Sequence, residues 1–180
     1  MKSAPRHKNV VYLHRDIESV NNLYLFMELC DQGDLERFIR KRSGDRQILS
    51  EAEAQYVMRD IVSGLTHLNW QCRVMHRDIK LENILVKTKK ESKNVDFKDR
   101  LISDFEFKLG DLGLAKNFST RNEMKATMCG TPLYMAPEVI QGRPYTYKAD
   151  IWSLGTLLFQ ILTGQLPFDG EDIAELKLNI

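Results

Sequence analysis

His76 to Asn83 reads HRDIKLEN, eight consecutive residues that bring a carboxylate, basic side chains and an amide into one short stretch. By residue type and order, Asp78 is a candidate general base, Lys80 a cation two positions on, and Asn83 a candidate metal ligand through its amide oxygen. An HxDxxxxN pattern is short enough to arise by chance. What stands before and after it therefore decides its meaning.

Downstream, DLG at 111–113 follows a short apolar run, so Asp111 can reach a metal from a strand end. APE at 136–138 closes the segment that begins there, and TYKADIWSLG at 146–155 opens a long apolar stretch. Phosphoryl transfer asks little covalent work of a protein. It needs metals to neutralise phosphate charge and a carboxylate to receive the acceptor's hydroxyl proton. Asp78, Asn83 and Asp111 are the residue types that this chemistry uses.

Upstream, Val10 to Glu18 and Asn22 to Leu29 are rich in Val, Ile, Leu, Tyr and Phe, and SVNN between them predicts a hairpin. A short helix is expected near Leu35 to Lys41. A longer one opens at Ser50, whose S-x-x-E spacing to Glu53 is a capping box, and Val57, Ile61, Leu65 and Leu68 give it one apolar face. The charged segment Lys87 to Glu106 lies between the apolar runs 84–86 and 107–109 and reads as a surface loop joining two strands; a docking role is the alternative to a merely solvated loop. Ile151 to Thr163 is apolar on every face, as expected of a buried central helix that stops at Gly164.

Composition narrows the class without naming a partner. The chain has 180 residues, 43% hydrophobic and 28% charged, with a formal net charge of +1, which gives no field suited to nucleic acid or a membrane surface. The opening MKSAPRHKN lacks the apolar core of a signal peptide, and no stretch reaches the ~20 apolar residues of a membrane span. A soluble, cytoplasmic protein is expected. Cys30, Cys72 and Cys129 are odd in number and widely spaced, which suits reduced thiols better than a disulfide frame or a zinc site.

These motifs, in this order and spacing, resemble the eukaryotic protein kinases along essentially the whole chain. The resemblance implies an α+β fold: a mostly helical large lobe over 31–180, and over 1–30 only the last two strands of the small lobe and the hinge. By position it makes Met27 the gatekeeper, Glu28, Leu29 and Cys30 the hinge that meets adenine, and Leu85 the floor of the adenine pocket. Asp34 takes the place of a ribose or substrate contact, or is a solvent-exposed helix cap. ATP and Mg²⁺ are the implied cofactors, with Asn83 and Asp111 on the metal, Asp78 as base and Lys80 beside the transferred group. Leu13, His76 and Leu112 match members of the apolar spine, with His76 packed and hydrogen-bonded rather than acting as an acid or base. Asp150 matches the carboxylate that anchors the catalytic loop's backbone.

Lys80 and GTPLY at 130–134 are similar to the serine/threonine enzymes, so a protein substrate with a Ser or Thr hydroxyl is implied, and Thr131 would contact Asp78 and Lys80. Thr127 stands where the family's activation loop is phosphorylated, by an activating kinase or by a second copy, and Arg77 could pair with that phosphate. A threonine that caps a turn is the other reading of Thr127. DLG for DFG, the ELC hinge, the segment 124–138 and the insertion after ILV look most like the ULK/Atg-type autophagy kinases.

Two departures limit the resemblance. No GxGxxG and no VAIK-like strand occur in the 180 residues, so the phosphate-covering loop and the phosphate-gripping lysine have no counterpart here, and neither does an arginine to pair with Glu138. Leaving a buried charge without its partner costs ~3–5 kcal/mol. The expected reading is a serine/threonine kinase catalytic domain recorded in part; the alternative is a non-catalytic module or pseudokinase that keeps the large lobe. A Ser/His hydrolase finds no GxSxG elbow.

Overall fold

In the computed structural model, which describes residues 5–44, 47–117 and 129–180, the strands come early or flank the catalytic loop and the long helices form the body. Strands β1 (Leu13–Glu18) and β2 (Leu23–Met27) pair antiparallel, turned by Ser19, whose amide donates to Asn22 O (2.8 Å) and whose hydroxyl accepts from Asn22 N–H (3.1 Å). The first strand is shorter than its composition predicts. Val10 and Val11 instead join the edge of a second hairpin, Val10 bridging Leu109 and Val11 N–H donating to Leu109 O (2.9 Å).

Helix α1 (Leu35–Ser43) is capped by Asp34, and α2 (Glu51–Thr66) by Ser50 with both halves of the capping box formed by Ser50 and Glu53. The apolar stripe of α2 is the core: Val57, Ile61, Leu65 and Leu68 are at most 4% exposed. A π-helical turn (His67–Cys72) ends on Arg73 at φ 57° and leads into β3 (Val74–Met75). Strands β4 (Ile84–Thr88) and β5 (Phe105–Leu109) then pair antiparallel beneath the catalytic loop, and β6 (Lys116–Asn117) pairs with β3. Helices α3 (Pro137–Ile140), α4 (Lys148–Thr163) and α5 (Ile173–Asn179) follow, and Gly164 caps α4 at φ 75°.

Two expectations need correction. Residues 87–106 are structured rather than merely solvated: β4 and β5 each run two residues into the charged segment, and three 3₁₀ turns lie between them. Phe97 anchors the insertion, edge-on to Phe38 of α1 (5.8 Å), near Phe105 (5.8 Å) and beneath Lys41 Nζ (3.9 Å). Arg100 ties it down through Val95 O (2.7 Å), Lys93 O (3.1 Å) and Thr88 Oγ1 (3.2 Å). Phe97 and Phe105 within the charged segment pack it against α1 as a brace.

The second correction concerns α4. Leu157 and Ile161 are fully buried, but Ile151 is 52% and Phe159 42% exposed, on the stripe they share with Gly155. Among the described residues nothing covers that stripe; Phe168 stacks on Trp152 (5.6 Å) at its edge. An all-apolar sequence marks a helix that can be buried all round, and only packing decides how much of it is.

Candidate active site

The catalytic loop is held in place by a carboxylate outside it. Asp150, 1% exposed in the first turn of α4, accepts from His76 N–H through Oδ2 (3.0 Å) and from Arg77 N–H through Oδ1 (2.8 Å). Burial pushes its carboxyl above the ordinary range, and the nearby His76 and these two N–H bonds pull the other way. His76 is fully buried. Its Nε2 meets Gly110 O (2.9 Å) and its Nδ1 accepts from Asp78 N–H (3.4 Å), which assigns the ring proton to Nε2. Arg77 sits at φ 69°, turning the loop so that Asp78 stands past it.

Asp78 is the hub. Oδ1 accepts from Thr131 N–H (3.0 Å) and Thr131 Oγ1–H (2.9 Å), Oδ2 accepts from Asn83 Nδ2 (2.8 Å), and Lys80 Nζ lies 3.4 Å from Oδ2. Lys80 also donates to Thr131 Oγ1 (2.8 Å), and Asn83 Nδ2 donates to Asp78 O (2.7 Å). Burial raises the Asp78 pKa, but the Thr131 and Asn83 hydrogen bonds and the Lys80 charge outweigh it, so the carboxyl stays below its ordinary range. Asp78 is thus an ionised acceptor held by donors. Gly130 makes this approach possible: at φ 107° a Cβ there would lie 2.5 Å from Arg77 O.

Asn83 is 6% exposed, and because its amide nitrogen is spent on Asp78, its oxygen is left for another partner. Gly110 N–H donates to Asn83 O (2.8 Å), tying the strand end before Asp111 to the catalytic loop. Asp111 itself is exposed at φ 43° and accepts from Gly113 N–H (3.1 Å). One amide oxygen and one exposed carboxylate are hard oxygen donors, which fit Mg²⁺, an ion that takes few protein ligands and completes its shell with water and phosphate. Among the described residues no group of three or more His, Cys, Asp or Glu side chains forms a metal cage.

The segment expected to form the hinge, 28–30, crosses from β2 over β4. Met27 (52%) and Leu29 (79%) are exposed, Leu85 is half-buried, and Gln32 N–H and Val86 N–H close the crossover by donating to Val86 O (3.0 Å) and Gly33 O (2.8 Å). Asp34 bridges Leu85 and caps α1, accepting from Arg37 N–H (2.8 Å). Leu13 and Leu112 both line a cavity of about 1000 Å³. Arg77 donates to Leu114 O (2.6 Å) and Tyr145 Oη (3.3 Å); Thr127 lies outside the described residues. Glu138 is half-buried with no ion-pair partner among the described residues, and solvent in the groove it shares with Trp152 and Phe168 relieves the full burial cost expected for it.

Two contributors went unnoticed in the sequence. Asn9, fully buried, donates from Nδ2 to Phe107 O (2.9 Å) and accepts Leu109 N–H (2.9 Å), fastening the N-terminal segment to β5. Lys108, 3% exposed, lies behind the hinge. An Asn among valines and a Lys between two apolar strand residues were the available signals.

The protein kinase domain family model matches residues 1–180. The serine/threonine-protein kinase unc-51 of Caenorhabditis elegans is 39% identical over 175 residues, covering 97% of this chain and 19% of that protein. ATG1a of Arabidopsis thaliana, also a serine/threonine-protein kinase, is 36% identical over 174 residues (97% and 25%), and human NUAK family SNF1-like kinase 2 is 38% identical over 171 (94% and 24%). The chain thus spans about a fifth to a quarter of the length of these relatives. A match from end to end, on a loop whose Asp78 is gripped by Asn83, Lys80 and Thr131, places this chain in the protein kinase domain family.

Proposed function

We propose that this chain is the major part of a serine/threonine kinase site that transfers the γ-phosphoryl group of ATP to a protein Ser or Thr hydroxyl. The observation that carries the reading is the Asp78 cluster, where an ionised carboxylate is aimed by Thr131, Asn83 and Lys80. Asp78 orients the acceptor hydroxyl and receives its proton as the O–P bond forms. Lys80 faces the same carboxylate and would steady charge on the transferring group. Bound MgATP supplies the phosphoryl group and the charge-neutralising metal; Asn83 and Asp111 are the residues that would hold the metal. Met27, Glu28, Leu29, Cys30 and Leu85 would frame adenine, and Asp34 would reach ribose or substrate from its capping position.

In this reading residues 1–30 end a small lobe and 31–180 belong to the large lobe. The glycine-rich loop and the phosphate-gripping lysine are not among these residues, so a longer polypeptide supplies them. Phospho-Thr127 paired with Arg77 would order the activation segment, and a cytoplasmic location is part of the proposal; no helix among the described residues is long and apolar enough to cross a membrane. A second reading is a large lobe kept as a binding module. Sequencing upstream of Met1 and expressing the longest open frame separates them. Phosphate from ATP on Ser or Thr of a generic protein acceptor supports the kinase; none under conditions where a control kinase works, or phosphate on Tyr alone, contradicts it.

A further inference from the structure

Glu28, the first residue of the hinge, is held on two sides. Lys87 Nζ of β4 lies 2.5 Å from Glu28 Oε1, and Lys108 Nζ of β5 lies 3.2 Å from the same oxygen. The backbone is fixed with the side chain, since Glu28 N–H donates to Tyr12 O (2.8 Å) and Tyr12 N–H donates to Glu28 Oε2 (3.4 Å). Lys108 Nζ also lies 3.3 Å from Glu106 Oε2 and donates to the backbone oxygen of Lys8, with its side chain only 4% exposed. A lysine is rarely so buried unless it is paired, and Lys108 is paired with two carboxylates.

Hydrophobic packing does not fix this hinge. Met27 and Leu29 flank Glu28 and are both largely exposed, so at Glu28 itself the ionic contacts add β5 to the backbone bonds that already join Gln32 and Gly33 to Val86 of β4. Strand β5 ends two residues before Asp111, and β4 follows directly from Asn83. One cluster therefore ties the adenine end of the site to the two strands that adjoin Asn83 and Asp111.

We propose that Lys108, assisted by Lys87, is a positioning residue for nucleotide: through Glu28 it sets the height of the hinge backbone over Leu85 and hence the register of adenine relative to Asn83 and Asp111. This rests on the kinase reading above. Burial alone would raise the Glu28 pKa, yet its bonds to Lys87 and Lys108 bring it below the ordinary value, as a carboxylate clamped in its charged form requires.

The test uses the 180-residue chain and the longest open frame containing it. In Lys108→Met, hydrogen exchange is read at the amides of Glu28 and Gln32, which bond to Tyr12 O and Val86 O at the two ends of the hinge. MgADP binding is read in parallel. Exchange at both amides is expected to quicken at least about tenfold while α2 amides hold, with MgADP binding ten- to a hundredfold weaker, the scale of a small misplacement. Lys108→Arg should restore both. Hinge exchange that matches wild type overturns the proposal whatever the nucleotide does. Faster hinge exchange with MgADP affinity unchanged also overturns it, because the clamp would then have no bearing on nucleotide. A wild-type longest frame that binds no MgADP refutes the kinase reading and, with it, the nucleotide role, whereas exchange still reports whether Lys108 fixes the hinge. If Lys108→Met does not fold, Glu28→Gln, which keeps shape and loses charge, must give the same exchange change.

Discussion

Thr131→Val removes one hydroxyl from the centre of the site and leaves the shape nearly unchanged. In the wild type that hydroxyl donates to Asp78 Oδ1 (2.9 Å) and accepts from Lys80 Nζ (2.8 Å). Each is a hydrogen bond to a charged group, and such bonds contribute ~1.5–3 kcal/mol. The full sum is not lost. Thr131 N–H still serves Oδ1 (3.0 Å), and Lys80, already 3.4 Å from Oδ2, can move onto the carboxylate. About 1–3 kcal/mol of stability should therefore disappear at pH 7, a large share of a typical domain's ~5–15 kcal/mol.

The pH dependence sharpens this. The Asp78 pKa is lowered in the fold, so its contribution is present above the ordinary carboxylate value of about 3.9 and is lost as pH falls through the folded value. The Thr131 bond is the largest of the effects that lower it. In the variant the Asp78 carboxyl should titrate at higher pH than in wild type, by carbon-detected NMR of the labelled carboxyl, and urea midpoints should converge only as pH falls below the ordinary carboxylate value and through the folded one. An Asp78 titration that does not move, or a stability difference that stays as large once Asp78 is protonated as it is at pH 7, refutes the reasoning.

Three further outcomes are expected. Gly64→Ala puts a Cβ 2.4 Å from Asn9 O, so the N-terminal segment must lift from α2; a loss of about 1–3 kcal/mol by denaturation is expected, with faster exchange at Leu109 N–H, and an unchanged midpoint counts against it. Phe97→Ala should cost about 1–3 kcal/mol, less than a fully buried Phe because Phe97 is only partly covered, and a change under about 0.5 kcal/mol, usual for surface sites, would return the insertion to a solvated loop. Burial pushes the Cys30 thiol up to about 11, so at pH 8 it should resist alkylation by iodoacetamide in the folded chain and react readily in urea; mass spectrometry showing equal rates contradicts this.

The catalytic loop was legible because its chemistry is local: Asp78, Lys80 and Asn83 are close in sequence, and the loop that joins them brings them together in space. The face of α2 and its capping box were legible for the same reason, each depending on three- and four-residue spacing. What escaped depends on distant partners. Phe97 lies in a charged stretch and is placed by Phe38 and Phe105, and Lys108 lies within the apolar run 107–109 and is held by Glu28 and Glu106, partners that local spacing does not reveal. Ile151 and Phe159 erred in the opposite direction, since apolar composition states a capacity for burial and not its extent.

The most direct test is phosphoryl transfer by Asp78→Asn in the longest open frame that contains these residues. Asparagine keeps the size of Asp78 and can still accept hydrogen bonds, but it cannot take the acceptor's proton. The account predicts a fall of about 10²–10⁴ in kcat with MgADP affinity within about twofold of wild type. Transfer at the wild-type rate would remove Asp78 from the chemistry and contradict the central claim.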